Sequence, residues 1–547
     1  MTGWLADVPP RRRHLLFAGV CVAAVYLIGV TGQWWPSPDS ALYLGLARSL
    51  AEGDGYRFND SPSNIVTPGL PLILAGMQMV FGEGFWAPNL FMALCGLAAA
   101  GLIYLSTARI SDRRTALAVT LATALSYTFF HQSHRILTDA PFAALFWAIL
   151  YSYIRYRTGS VRWLIPAGLF SAAAVAVRAP GILFLGSLAV GILPDLGPTR
   201  PVEVPQTAPK NRKGLIPAFV ILLVIAVMGA GFFIVARSAD QGMPMYAGAV
   251  ISRVNVGLTE HLRSLWLGIM QLPLALSEML TSQEAYSVGL PALILMCVGG
   301  VSLWRRRQRF VLPVIVVSVL ALALYGRDHF IRPRYLMPIQ PLLLLAIMEG
   351  LCRSIKLFRP RARPALHLKA VIVLVGAIVA CNAPKLLRNA VYYSYVSHTG
   401  RYHKVVMDGR FAELFPVAGI LREGDHADRT AAADSDKVSM LHYLSRRTII
   451  PLPETARISP DEAEVIRHFA ASHSDLQFIV LDVGKRGGSE PFRRRLRELF
   501  ENTPGMELRR AGKRYLVYEV LIKPGRSASR PSAPDKKYEK DTSVEIK

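Results

Sequence analysis

The chain has 547 residues, of which 52% are hydrophobic and only 18% charged, too apolar for a soluble protein of this length. Its net charge of +24 would suit a nucleic-acid binder if it covered one folded face; here it is confined to short segments between apolar blocks, which argues against nucleic acid. The five cysteines (Cys21, Cys95, Cys297, Cys352, Cys381) lie in or beside those blocks, so neither a disulfide framework nor a zinc motif is supported.

A helix needs about 20 apolar residues to cross a bilayer. Blocks suited to crossing recur at 15–33, 86–108, 115–131, 140–155, 163–177, 181–195, 215–236, 286–304, 310–325, 336–351 and 369–385, which predicts about eleven transmembrane helices. The first block runs into Gln33-Trp34-Trp35 without a small-x-small cleavage site, so it reads as an anchor rather than a signal peptide. Eleven crossings put segments 1–14, 109–114, 155–162, 196–213, 305–309 and 353–369 on one side. Together these hold 23 Lys or Arg and few acids. That bias marks the cytoplasmic side, so the localisation expected is a multi-pass cytoplasmic (inner) membrane protein with its N-terminus inside.

The opposite side then receives 34–85, the tips at 131–139, 178–180 and 326–335, the long segment 237–285, and everything after 386. In the first of these, WWPSPDSALYLGLARSL sets Leu42, Leu46 and Leu50 at helical spacing after Asp39, which predicts an interfacial helix. Asp39 itself reads either as a helix cap or as a reactive carboxylate. Pro68 to Phe81 is apolar but below crossing length, and also reads as interfacial. Ionisable residues avoid the span centres and gather at the outer ends: Asp39 and Arg48; His131, His134, Arg135 and Asp139; Arg178; and Arg327, Asp328, His329, Arg332, Arg334 and Tyr335. That pattern disfavours an ion-coupled transporter, which keeps such groups inside the membrane.

Three of these groups carry a sharper expectation. His131, His134 and Asp139 offer donors for a divalent metal, the one cofactor candidate, although their spacing matches no strong motif. Thr138-Asp139-Ala140-Pro141 fits a helix start with a first-turn proline, which leaves Asp139 as cap, catalyst or both. Leu164 to Pro194 is too short for two full crossings, so the Arg178 tip lies below the outer surface, where an arginine needs an anion or water. Arg332, Arg334 and Tyr335 form a guanidinium-rich seat suited to phosphate oxygens.

Beyond residue 400 the pattern changes. TAAADS, TIIPLP, QFIVLDV and LRRAGKRYLVYEV read as strands, and 437–446, 459–473 and 490–501 as helices. The expected organisation is a transmembrane catalytic domain over 1–385, an extracytoplasmic α/β domain over 386–522, and a disordered tail over 523–547 rich in Pro, Ser and Lys.

An acid just after the first span, Pro-Gly-Leu-Pro in the first outer loop, HRILTDAP before the fourth span and RYLMPIQP late in the membrane part resemble the GT-C glycosyltransferases, in particular their protein O-mannosyltransferase and aminoarabinose-transferase branch. The resemblance implies an enzyme that transfers a sugar from a polyprenyl-phosphate donor to a lipid, protein or glycan acceptor on the outer face, usually with inversion. By the same resemblance Asp39 matches the first-loop general base and Asp139 the second acid, while Arg334 and Tyr335 lie near the donor phosphate, joined by Arg178 and Arg332. This chain departs from the pattern in having Ser40 where many relatives carry a second carboxylate, and Val66-Thr67 before Pro68-Gly69-Leu70 where relatives carry a charge. The rival reading is a lipid flippase or carrier that binds the same headgroup and makes no bond.

Overall fold

The computed structural model describes residues 12–192 and 257–398, apart from 60, 64–65, 159–160, 180, 307, 326–330 and 362–363, and beyond these 414–423, 430–433, 438–446, 448–451, 473, 476–482, 506–511 and 515–520. The expected span at 215–236, the residues Arg327, Asp328 and His329, the helix at 490–501, nearly all of that at 459–473, and the tail at 523–547 lie outside the described residues. The chain divides into two compact units, 1–412 and 413–547.

The first unit is a multi-pass helical bundle. Its described helices in order are α1 (Arg12–Ile28), α2 (Pro38–Glu52), α3 (Gly69–Phe81), α4 (Trp86–Ile110), α5 (Arg113–Ala124), α6 (Tyr127–Gln132), α7 (Asp139–Thr158), α8 (Leu164–Val177), α9 (Gly181–Ile192), α10 (Leu258–Thr281), α11 (Tyr286–Arg305), α12 (Val311–Tyr325), α13 (Pro333–Leu336), α14 (Gln340–Phe358) and α15 (Pro364–Leu387). Among the described residues, three helices are both long and apolar enough to cross a membrane on their own: Trp86–Ile110, Tyr286–Arg305 and Ala365–Tyr392. The others are shorter apolar helices or carry more charge. At 1.5 Å per residue the 14 residues of α8 reach about 21 Å, short of the roughly 30 Å hydrocarbon core.

Two expected spans break in the structure. The block at 115–131 stops at Ala124, and α6 starts afresh because the Ser126 hydroxyl accepts from the Phe129 N–H. The block at 336–351 does not begin at 336; Pro338 and Pro341 interrupt it, and the long helix starts at Gln340. The core between these helices is closed by large side chains with satisfied polar ends. Trp147 donates to the Pro338 carbonyl at 2.9 Å, and the Tyr26 hydroxyl donates to the Ala124 carbonyl at 2.9 Å.

Cross-contacts sort the bundle into two ends. At the far end, Gln308 donates to the Ile110 carbonyl, Gly191 packs on Phe310 and Val314, and the buried Glu349 accepts from Ser302 (2.6 Å), Arg306 (3.2 Å) and Arg353 (3.3 Å). The basic segments around 109–114, 305–309 and 353 therefore share one end. Asp39, Asp139, Arg178 and Arg334 meet at the other, the site end.

The expected interfacial helix at 39–50 is instead buried. Every residue from Ser40 to Ala47 is buried, packed by α3 and by a short hairpin of β1 (Arg57–Phe58) and β2 (Ser61–Pro62). Helix α3 does present an apolar face, with Leu72, Met79, Val80 and Phe81 exposed, as lipid contact requires. Within the long outer segment expected at 237–285, the described residues form a helix. Helix α10 runs across the site end, with Gly268 against Ala323, Pro273 against Gly289, and the Leu280 carbonyl bonded to Asn382. Leu258, Leu262, Trp266 and Met270 form an exposed apolar stripe along it.

The second unit holds a five-stranded mixed sheet in the order β4-β3-β5-β7-β6, made from Thr430–Ala433 (β3), Ile449–Pro451 (β4), Leu476–Asp482 (β5), Met506–Ala511 (β6) and Tyr515–Val520 (β7). Strand β3 pairs in parallel with β4 and β5, and β7 is antiparallel to β5 and β6. LRRAGKRYLVYEV is therefore two antiparallel strands of a hairpin, not one.

Candidate active site

The turn before α2 settles which residue caps it. Ser37, in extended conformation, accepts from the Ser40 N–H at 3.1 Å, and the Ser40 hydroxyl accepts from the Ser37 N–H at 3.0 Å. The indole of Trp34 also donates to that hydroxyl, at 3.0 Å. This reciprocal capping box satisfies the helix start without Asp39, which sits in the first turn with its side chain 53% exposed. Ser40, where the resemblance leads to the expectation of a second acid, closes the box with its hydroxyl in a buried position. Helix α2 stops at Gly53, whose left-handed φ of 90° suits glycine.

Asp139, by contrast, is buried at the first residue of α7. Its carboxylate lies 2.7 Å from Nη1 of Arg178, with the two side chains only 5% and 11% exposed, and the same Nη1 donates to the Thr138 hydroxyl at 3.1 Å. Arg178 follows the last turn of α8, its N–H bonded to the Ala174 carbonyl. Two glycines allow this approach. A Cβ at Gly69 would stand 2.6 Å from the Ala176 carbonyl group, and one at Gly181 would stand 2.3 Å from the Phe142 ring, a helical turn from Asp139.

Arg334, on α13, reaches toward Asp39. Its Nη2 lies 3.5 Å from Asp39 Oδ2 and 3.3 Å from the Tyr335 hydroxyl, and its guanidinium covers the Tyr335 ring at 4.9 Å. Burial works against the charge on Arg334, but the neighbouring Asp139, Tyr335 and Asp39 outweigh it and hold its pKa above the usual arginine value. Arg332 precedes the helix with its side chain exposed, its carbonyl taking the Tyr335 N–H at 2.9 Å.

The two histidines are engaged in other contacts. His134 places both ring nitrogens 2.8 Å from carbonyls, Nδ1 at Phe130 and Nε2 at Tyr26, which leaves neither nitrogen directed at a metal. His131 stacks on Tyr127, meets Trp35 edge-on, and has Nδ1 3.1 Å from Asn389. No group of three His, Cys, Asp or Glu among the described residues is arranged to hold a metal ion.

Arg135 belongs to this cluster too, although its residue type alone did not single it out within HRILTDAP. Burial and the nearby Arg334 lower its pKa, with Asp139, Asp39 and Tyr127 acting in the other direction. Three guanidinium groups and two carboxylates thus converge at the site end, an arrangement suited to an anion next to a proton acceptor.

Residues 62–195 match the family described as dolichyl-phosphate-mannose-protein mannosyltransferase. A comparison with curated proteins finds no match. Among solved structures, ArnT from Cupriavidus metallidurans bound to undecaprenyl phosphate aligns with 13% identity and a TM-score of 0.61, over 93% of this chain and 98% of that one. Its apo state gives 14% and 0.60 over the same shares. The apo oligosaccharyltransferase of Archaeoglobus fulgidus aligns with 12% identity and a TM-score of 0.51, over 86% of this chain and 70% of that one. The resemblance read from the motifs is thereby shown: a mannosyltransferase-family match within the first half of the bundle, and the GT-C fold over most of the chain. Together they show a family match over residues 62–195 and a shared membrane-protein fold over most of the chain.

Proposed function

We propose that the chain transfers a sugar from a polyprenyl-phosphate donor to an acceptor hydroxyl at the site end, by single displacement with inversion. The observation that carries this reading is the convergence of an exposed carboxylate, Asp39, with the guanidinium of Arg334 at 3.5 Å. An attacking oxygen needs the first and a departing phosphate needs the second. The ligand named for the Cupriavidus structure, undecaprenyl phosphate, supports a donor of this class.

Asp39 takes the acceptor's proton as its oxygen bonds to the anomeric carbon. The bond from that carbon to the phosphate oxygen breaks, and its electron pair stays on the phosphate, whose charge rises from −1 toward −2. Cations fixed in place before the reaction stabilise that growing charge. Asp139 is the second acid, oriented by Arg178 and directed at the sugar or the acceptor. Basic far-end loops support a cytoplasmic far end and an extracytoplasmic site, where the donor's prenyl tail remains in lipid.

The test is turnover by purified full-length protein given a polyprenyl-phosphate sugar and an envelope extract as acceptor source, read as release of polyprenyl phosphate matched by sugar in the acceptor fraction. Asp39→Asn keeps the shape of the side chain but cannot accept the proton, so turnover should fall by about 10²–10⁴-fold with folding intact. Retention of most turnover would move the base to Asp139. Sugar transfer by no preparation, with headgroup movement across vesicles instead, would favour a flippase.

A further inference from the structure

The three guanidinium groups at the site end are not equivalent. Arg178 is committed: Nη1 bonds the Asp139 carboxylate at 2.7 Å and the Thr138 hydroxyl at 3.1 Å. Arg334 is partly committed, to the Tyr335 hydroxyl and loosely to Asp39, and its Nε is buried without a hydrogen-bond partner. The Arg135 guanidinium makes no hydrogen bond or ion pair among the described residues, and its Nε too is buried and unpartnered. Buried polar hydrogens are seldom left in this state, and here two occur on neighbouring cations whose charges repel. The acids do not balance them, since two carboxylates face three guanidinium groups.

The backbone holds Arg135 in place. His134, one residue earlier, sits with its ring nitrogens 2.8 Å from carbonyls of α1 and α6, and the Leu137 N–H closes a turn on the Arg135 carbonyl at 2.7 Å. A Cβ at Gly29 would meet His134 Nε2 at 2.7 Å, so glycine there is what lets α1 approach this turn. An arginine whose backbone is held in this way, with its Nε buried and unpartnered, offers a donor to an anion.

We propose that Arg135, with Arg334, receives the donor's phosphate, and that Arg178 is a positioning residue for Asp139 instead of a phosphate ligand. The inference rests on the transferase reading above and names the phosphate contacts of that same site. A phosphate between Arg135 and Arg334 would accept from both buried Nε groups and relieve their repulsion. Because the phosphate gains a charge as the sugar departs, the pair should hold the monoester product more tightly than the diester donor.

The experiment uses the full-length protein in nanodiscs, with farnesyl phosphate as the probe and farnesol as its uncharged match. Wild type should bind farnesyl phosphate in preference to farnesol. Arg135→Gln should weaken farnesyl phosphate binding about 10- to 100-fold, the range for losing a charged hydrogen bond, and leave farnesol binding unchanged. Arg135→Lys should fall between, because an ammonium lacks the bidentate fork. Arg178→Gln should lower thermal stability yet keep the farnesyl phosphate Kd within about threefold of wild type. Wild-type affinity in Arg135→Gln, or in Arg135→Lys should the Gln variant not fold, would overturn the proposal. Loss of binding in Arg178→Gln alone would also overturn it. Displacement of farnesyl phosphate by phosphatidylglycerol vesicles at equal phosphate would mean a general headgroup seat and refute the donor assignment. Failure of wild type to prefer farnesyl phosphate over farnesol would instead refute the transferase reading itself.

Discussion

At the scale of single residues, Asp39 and Asp139 look alike in the sequence, each an acid at a helix start within two residues of a proline, and the structure separates them. Asp39 does not cap its helix, because Ser37 and Ser40 do so reciprocally; the signal for that was present as Ser-x-x-Ser, masked by the more conspicuous carboxylate between them. Asp139 is buried and paired with Arg178, a contact across 39 residues that no local pattern encodes. Burying both charges makes each dependent on the other. Asp139→Asn or Arg178→Gln should therefore each cost about 3–5 kcal/mol, whereas the double variant should recover a substantial part of that loss. Thermal unfolding of the four proteins in one detergent would measure this. Strictly additive losses would mean that the pair is not coupled and that Arg178 is held by other contacts.

At the scale of elements, hydropathy located most of the helices of the bundle, but it did not find their breaks. The blocks at 115–131 and 336–351 are continuous in hydropathy, and what divides them is a serine cap at 126 and prolines at 338 and 341. Helix α10 went unnoticed for a related reason: its polar and apolar residues alternate around the axis, so a window average is low while Leu258, Leu262, Trp266 and Met270 still line one side. Packing between elements rests on small residues. Gly299 of α11 faces the Ala346 carbonyl, and Gly350 of α14 faces the Leu295 carbonyl, so an Ala-x-x-x-Gly stripe brings the two backbones together. Helix α3 permits a controlled comparison, since a Cβ at Gly69 would lie 2.6 Å from the backbone of α8 at Ala176, whereas one at Gly76 would meet nothing within 4 Å. Gly76→Ala should stabilise the protein by up to about 1 kcal/mol through helix propensity and leave turnover unchanged. Gly69→Ala should destabilise it by about 1–3 kcal/mol and reduce turnover, because Ala176 lies two residues before Arg178. Equal behaviour of the two variants in melting and turnover assays would show that the α3–α8 contact does not position the site.

At the scale of the whole molecule, charge distribution is the feature most legible in the sequence. The segments that alternation grouped on one side do meet at one end where they are described: Gln308 beside Ile110, and Arg306 and Arg353 around Glu349. Of the residues that alternation groups opposite, Asp39, Asp139, Arg178 and Arg334 converge at the site end. Convergence follows from the number of crossings and their parity, which hydropathy encodes; the pairings within the cluster depend on helix rotation and tilt, which it does not. Which end faces the cytoplasm rests on a separate argument, the retention of Lys- and Arg-rich loops during insertion. Arg309 at the far end and Asp54 beyond α2 are both exposed, so each can carry a single cysteine in a chain whose five native cysteines are replaced. In intact cells a membrane-impermeant maleimide should label the cysteine at 54 and spare the one at 309 until the membrane is opened. The reverse pattern would place the acids and arginines in the cytoplasm, out of reach of an acceptor on the outer face. Labelling of both from one side would break the parity itself, and the two-ended bundle would have to be retraced from the segment between Ile192 and Leu258.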